Sequence, residues 1–190
     1  MKLFTYNADN RKFSPKVLTP PLPVPTFRGQ RSPTMVVAID PGKYLVGGAV
    51  LVGCGTIQAG IVEAGSPSTP QGHRWLALAK ALEAKIKPPG DVTLVAEVMT
   101  VYAHDGASKA PTLLDLQGVV GACVGVLRPR QVVLVEPRVW KGQVPREVTT
   151  NRVWAIHEKT PGIFWPKDKK KQGDVAAALA LLHWHIKSSS

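Results

Sequence analysis

The folded part of the chain opens with the stretch Met35-Val36-Val37-Ala38-Ile39-Asp40-Pro41-Gly42. A run of apolar residues that ends in a carboxylate and a Pro-Gly turn predicts a short buried strand. Two further β-rich runs follow at 44–52 and 56–62, with short turns between them. Short connections favour antiparallel pairing, so we expect the first three strands to form a meander.

Helices and strands alternate after this meander. Apolar residues recur at helical spacing over 75–86 and again over 113–127, and buried strands are expected at 92–98 and 132–135. A polar, basic helix is predicted over 146–158 and an apolar, buried helix over 175–186. This order predicts an α/β fold: a mixed five-stranded sheet, an antiparallel meander and then parallel strands, with helices on both faces.

The charge of the chain is concentrated in two segments. The 190 residues include 24 Lys and Arg against 13 Asp and Glu, a net charge of +11. Residues 1–34 carry a net +5 and residues 137–171 a net +6, whereas the remainder is neutral. Such a local excess favours a polyanionic partner such as nucleic acid, with solvated surface charge as the alternative.

The same composition indicates the domain organisation. Residues 1–34 contain six prolines and read as a basic, extended tail, which either lies along a nucleic-acid backbone or is an unstructured leader. Residues 35–187 form the single predicted domain. No apolar run is long enough to span a membrane, so no membrane partner is expected. Two cysteines, Cys54 and Cys123, favour a reducing, cytoplasmic location, although organelle targeting by residues 1–34 stays open.

Three acidic residues stand in apolar surroundings. Asp40 ends the first strand, Glu97 lies within the strand at 92–98, and Asp174 begins the last helix. A buried carboxylate is costly unless positive charge pairs with it, and a divalent cation removes the repulsion between neighbouring carboxylates. If the first and fourth strands are neighbours, with the last helix beside them, three oxygen donors converge in a site suited to magnesium or manganese.

Each carboxylate also has a structural explanation. Asp40 could belong to an ordinary turn, Glu97 could face solvent at the end of its strand, and Asp174 could be the N-cap of the last helix. The three together, in a basic protein, favour the metal site.

Five motifs occur in order along most of the chain. They are VVAIDPG at 36–42, AEVM at 96–99, LLDLQGVVG at 113–121, EPRVWKGQVPRE at 136–147 and DVAAALA at 174–180. With these motifs, residues 35–187 resemble the RuvC-like Holliday-junction resolvases, a branch of the RNase H-like nucleases, and most closely the phage-type members of that branch.

The resemblance implies a metal-dependent endonuclease that resolves four-way DNA junctions as a homodimer. Asp40 would bridge two Mg²⁺ ions and Glu97 and Asp174 would hold one each, with Mn²⁺ as a substitute. The chain departs from the family pattern at one point. The family places a further Asp or His three or four residues before the final Asp, and this chain has Lys171 and Lys170 at those positions. A lysine there could supply positive charge beside the metal, and Asp168 is a weak candidate for the fourth ligand.

Basic residues near these motifs are predicted to bind DNA phosphates, with ordinary surface charge as the alternative. They are Lys109, Arg138, Lys141, Arg146, Lys169, Lys170 and Lys171. Tyr102 and His104 could stack on opened bases at the centre of the junction, although His104 is also readily explained as a loop residue without a role.

Three other functions compete with junction cleavage. A protein of the same fold could bind junctions without cutting them, and another RNase H-like nuclease could cut RNA/DNA hybrids. An actin-like phosphotransferase also begins with a strand, an Asp and a glycine turn. That class needs two copies of the domain around ATP, however, and this chain has room for one.

Overall fold

A computed structural model describes residues 35–52, 55–64, 66, 68–88, 91–98 and 110–189. The predictions for the tail at 1–34 and for Lys109, Tyr102 and His104 lie outside the described residues.

Five strands form one mixed sheet in the order β3-β2-β1-β4-β5. Their bounds are β1 Met35–Pro41, β2 Leu45–Val52, β3 Thr56–Glu63, β4 Val92–Glu97 and β5 Gln131–Val135. Strands β1, β2 and β3 pair antiparallel, whereas β4 pairs parallel to both β1 and β5. The predicted meander and the parallel strands after it are confirmed.

Helices cover both faces of this sheet, as predicted. Their bounds are α1 Gln71–Ile86, α2 Ala110–Leu127, α3 Pro137–Trp140, α4 Arg146–His157 and α5 Lys169–Ser188. Helices α1 and α2 pack on one face, while α4 and α5 cover the other. Within the described ranges, no helix is both long and apolar enough to cross a membrane.

Strand β1 contributes side chains to two hydrophobic cores because successive side chains point to opposite faces of the sheet. Val37 and Ile39 pack with α1 and α2, whereas Val36 and Ala38 pack with α5. A strand buried on both faces needs a continuous apolar sequence, and residues 35–39 supply it. Asp40 follows Ala38 with the same parity, so β1 carries its carboxylate on the α5 side.

The last helix begins earlier than predicted, at Lys169 rather than near Val175. Asp168 is its N-cap, since the Asp168 carboxylate accepts a hydrogen bond from the Lys170 backbone N–H at 2.8 Å. The alternative reading of Asp174 as the N-cap is therefore wrong. The apolar pattern does not predict the first turn of α5, because lysines occupy it. Asp174 therefore lies inside the helix.

A buried polar cluster ties α1 to α2, and sequence reasoning did not anticipate it. Asp115 accepts hydrogen bonds from Gln71 at 2.7 Å, Trp75 at 3.0 Å and Arg74 at 3.1 Å, and Lys43 lies 3.6 Å away. Burial raises the pKa of Asp115, but these hydrogen bonds and the Arg74 charge outweigh it and hold the pKa below its usual range. The cluster holds α1 and the β1–β2 turn against α2.

Two histidines meet where α4 packs on α5. The Nε2 atoms of His157 and His183 lie 3.1 Å apart, and His157 also contacts the Thr160 hydroxyl. Burial, together with His157, lowers the pKa of His183 to about 4. The pair is thus neutral near pH 7 and serves the packing of the two helices.

Candidate metal centre

Asp40 and Glu97 come to the same edge and the same face of the sheet. Ile39 pairs with Ala96 in the parallel ladder of β1 and β4, so the next residues along, Asp40 and Glu97, are neighbours. Glu97 shares its parity with Val95, whose side chain packs on the α5 side. Glu97 is only 6% exposed, which rules out the alternative that it faces solvent.

Helix α5 brings the third carboxylate to this edge. Asp174 lies near the start of α5, directly above Gly47 of β2. A β-carbon at position 47 would collide with the Asp174 carbonyl group, so this approach requires glycine. Because Gly47 pairs with Asp40 in the β1–β2 ladder, the contact sets Asp174 beside Asp40.

One guanidinium group joins Asp174 and Asp40. Arg146, the first residue of α4, forms an ion pair from its Nη2 atom to Asp174 Oδ1. The same nitrogen lies 3.8 Å from Asp40 Oδ2. Two of the three predicted carboxylates therefore share a single cation.

Glu97 has partners of its own. The short helix α3 places the buried Trp140 so that its indole N–H donates to Glu97 Oε2 at 3.0 Å. Lys141, the next residue, sets its ammonium 3.3 Å from the same oxygen. Glu97 is thus held by one neutral donor and one positive charge.

Burial, with neighbouring charge, raises the pKa of both Asp40 and Asp174. Burial, with the charges of Glu97 and Asp174, raises the pKa of Asp40 to about 7, although Arg146 and Lys141 act in the opposite direction. Burial also raises the pKa of Asp174, against the stabilising contact with Arg146. The edge of the sheet is short of positive charge even with both basic residues in place.

The donor chemistry of this site fits a hard divalent cation. Carboxylate oxygens are the ligands Mg²⁺ and Mn²⁺ prefer, and three carboxylates that repel one another gain most from added positive charge. In the described part of the chain, no three His, Cys, Asp or Glu side chains stand close enough to form a ready ligand set. Instead, Arg146 and Lys141 supply positive charge to the three acids.

The other predicted ligand and phosphate-binding residues have different surroundings. Asp168 caps α5, so the structure gives it a role other than the fourth ligand. Lys171 forms an ion pair with Glu63 of β3, so the charge expected from it beside the metal comes from Arg146. Arg138 pairs with the neighbouring Glu136. Lys169 and Lys170 are exposed on the first turn of α5.

The sequence does not identify the residues that support the carboxylates as such. It predicts Lys141 and Arg146 as phosphate contacts, whereas they lie on Glu97 and Asp174. It gives no role to Trp140, whose indole N–H donates to Glu97. Gly47 offered the weak signal of a glycine inside a strand, which is often a mark of close backbone approach.

Comparison with known proteins identifies the fold. No protein-family model and no curated protein sequence matches this chain. Thermus thermophilus RuvC is similar in structure, with a TM-score of 0.51 and 19% identity over 82% of this chain and 95% of RuvC. RuvC in complex with a Holliday junction substrate gives a TM-score of 0.55 at 18% identity, over 82% of this chain and 94% of that one.

A eukaryotic structure is similar to the same part of the chain. The yeast mitochondrial Holliday junction resolvase Ydc2 gives a TM-score of 0.50 at 12% identity, over 81% of this chain and 80% of its own. These likenesses confirm the RuvC-like, RNase H-like fold that the motifs predicted. At such low identity they establish the fold alone.

Replacing Asp40 with Asn should stabilise the metal-free protein at alkaline pH. Folded Asp40 keeps its proton up to about pH 7, whereas the unfolded chain loses it near the ordinary aspartate pKa of 3.8. Wild-type stability therefore falls, relative to Asp40→Asn, as pH rises through that window. We expect the variant to be more stable by about 1–4 kcal/mol at pH 8 and equal at pH 4, as measured by urea unfolding. A constant difference across this range would contradict the raised pKa of Asp40.

Adding a methyl group at position 47 should move Asp174. Gly47→Ala would push the first turns of α5 away from β2, at a cost of about 1–3 kcal/mol, and weaken Mn²⁺ binding. Thermal unfolding and calorimetric Mn²⁺ titration measure both effects. Gly72→Ala is the matched control, because a β-carbon there meets nothing within 4 Å, and it should leave Mn²⁺ binding unchanged.

Proposed function

We propose that this protein is a metal-dependent endonuclease that cuts four-way DNA junctions by phosphodiester hydrolysis. The observation that carries the proposal is that Asp174 of α5 packs beside the neighbouring strand-end residues Asp40 and Glu97, in a fold shared with RuvC. RuvC has been solved with a Holliday junction substrate, and Ydc2 is a Holliday junction resolvase. The substrate class proposed here follows those two proteins.

Each carboxylate would have a distinct part in this reaction. Asp40 lies between the other two acids and feels the charge of both, so it is the residue placed to share a cation with each. Glu97 is held by Trp140 and Lys141, and Asp174 by the close packing of α5 on β2. When bound at these acids, Mg²⁺ or Mn²⁺ would supply Lewis-acid activation of water and charge stabilisation at the leaving oxygen.

Positive charge around the site would hold the DNA. Lys169 and Lys170 are exposed where α5 begins, a few residues before Asp174. Exposed lysines bind phosphates without regard to sequence, which suits a substrate recognised by its shape. Arg138 and Lys141 are proposed as further contacts, as is Lys109, whose position the structure does not describe.

A homodimer would match the two-fold symmetry of a four-way junction. Helix α2 leaves Leu114 65% exposed, and a β-carbon at Gly121 or Gly125 would meet nothing within 4 Å. The edge strand β5, which follows α2 in the chain, exposes Leu134 at 53%. We propose that this apolar surface, the α2–β5 surface, binds a second copy of the chain.

A cytoplasmic location and the kinship with phage-type members both stay predictions.

A second function is favoured by the contacts of the carboxylates themselves. Arg146 and Lys141 neutralise the acids without metal, which would suit a protein that binds junctions but does not cut them. This alternative predicts tight junction binding with no cleavage in either Mg²⁺ or Mn²⁺.

Cleavage of defined substrates tests the proposal directly. We expect wild-type protein to cut a synthetic four-way junction in Mg²⁺ and to leave it intact in EDTA. Asp40→Asn should lower the rate of cleavage by about 100-fold or more, because the Asp40 carboxylate no longer contributes to stabilising the charge of the transition state. Junction binding by the variant, measured by gel shift, should persist because the phosphate contacts are untouched.

The same assay separates the alternatives. Equal or faster cutting of an RNA/DNA hybrid than of the junction would assign the protein to a different nuclease activity. Junction binding without cleavage in Mg²⁺ and Mn²⁺ would support the non-catalytic alternative and contradict the proposal.

Disrupting the α2–β5 surface should give a monomer. Leu114→Glu places a charge in the proposed contact, so light scattering should show a dimer for wild type and a monomer for the variant. Thermal stability of the monomer should change little, since Leu114 is exposed within one chain. Ile156→Glu, at an exposed apolar position on α4, is the matched control and should remain dimeric. A monomeric wild type would contradict the proposed dimer.

A further inference from the structure

Arg146 lies across the start of α5 rather than out in solution. It is the first residue of α4, and its guanidinium group crosses to α5 to reach Asp174 and Asp40. The side chain remains 56% exposed, so solvent reaches it from outside. This places a permanently charged group at the outer side of the two carboxylates.

Gly173 makes room for this arrangement. A β-carbon at position 173 would stand 2.6 Å from Arg146 Nε, closer than real β-carbons approach, and 3.1 Å from Nη2. Gly173 is buried in the second turn of α5, where glycine costs helix stability by about 1 kcal/mol relative to alanine. The glycine thus forms a slot for the guanidinium, which we call the Gly173 slot.

Two other basic side chains of the α3 and α5 regions have different partners. Lys171 forms an ion pair with Glu63 on β3, and Lys141 forms one with Glu97. Arg146 is therefore the cation that the described residues provide to both Asp40 and Asp174. Positive charge at these two oxygens is what a divalent cation would also supply.

We propose that Arg146 is a built-in cation that a divalent metal must displace from Asp40 and Asp174, and that the Gly173 slot sets how closely it is held. The inference rests on the proposed metal-dependent function and concerns the regulation of that same site. Metal and guanidinium compete for the same carboxylates, so the Arg146 contact lowers the apparent metal affinity.

Displacement has a second consequence for DNA binding. Once it leaves the carboxylates, the guanidinium offers five N–H donors at the edge of the site, and this planar fork suits a phosphate group. Metal binding would thereby convert an internal ion pair into a contact available to the substrate. The phosphate role predicted for Arg146 from the sequence would then belong to the metal-bound state.

Metal titration of the full chain without DNA tests the competition. We expect Arg146→Gln to bind Mn²⁺ about fivefold more tightly than wild type in calorimetry, the range of a partly exposed ion pair. Gly173→Ala closes the slot while retaining every charge, so it should also tighten Mn²⁺ binding. Alanine favours the helix at that position, and thermal unfolding confirms that the variant is folded.

Lys171→Gln is the matched control for net charge. It removes one positive charge near the start of α5, but from a residue that pairs with Glu63. Its effect on Mn²⁺ affinity should be smaller than that of Arg146→Gln. Adding Asp40→Asn to Arg146→Gln should abolish the gain, because the variant then lacks one of the contested carboxylates.

The outcomes separate this inference from the proposed function. Equal or weaker Mn²⁺ binding by Arg146→Gln than by Lys171→Gln overturns the competition, even if wild type cuts junctions. Unchanged binding by Gly173→Ala overturns the role of the slot. Tighter binding by both variants supports the inference, even if wild type fails to cut the junction, in which case only the proposed function fails.

Discussion

Repulsion between carboxylates at the ends of two parallel strands governs the arrangement of the surrounding residues. Asp40 and Glu97 are neighbours on the sheet, and α5 adds Asp174 beside them. Three acids at one edge are unstable without positive charge, and the fold supplies it from Arg146 and Lys141. Even so, burial together with the charges of Glu97 and Asp174 raises the pKa of Asp40 to about 7.

Close backbone approach makes this clustering possible. Gly47 lets the first turns of α5 rest on β2, and Gly173 lets a side chain from α4 cross α5. On the other face, the buried Asp115 cluster holds α1, α2 and the β1–β2 turn together. The β1–β2 turn follows Asp40 directly, so the two layers of helices both fix the position of that residue. The burial of the three acids destabilises the folded protein, and the packing of the helices around them offsets this cost.

Most of the fold could be predicted because its signals are local. The apolar run at 35–39, the short connections after it and the helical spacing at 113–127 each depend on neighbouring residues, and each element is present. The start of α5 could not be predicted in this way. Its first turn is polar, and the cap at Asp168 is recognisable only when the direction of the chain before the helix is known.

The sequence by itself determined the order of the strands and of every helix except α3. It also singled out the three acids, since carboxylates in apolar surroundings are conspicuous. Only the tertiary structure decided which cation faces which acid. Arg146 and Asp174 are 28 residues apart, and Lys141 and Glu97 are 44 apart. Such pairs depend on how α4 packs on α5 and how α3 follows β5, and no local pattern records the packing of distant elements.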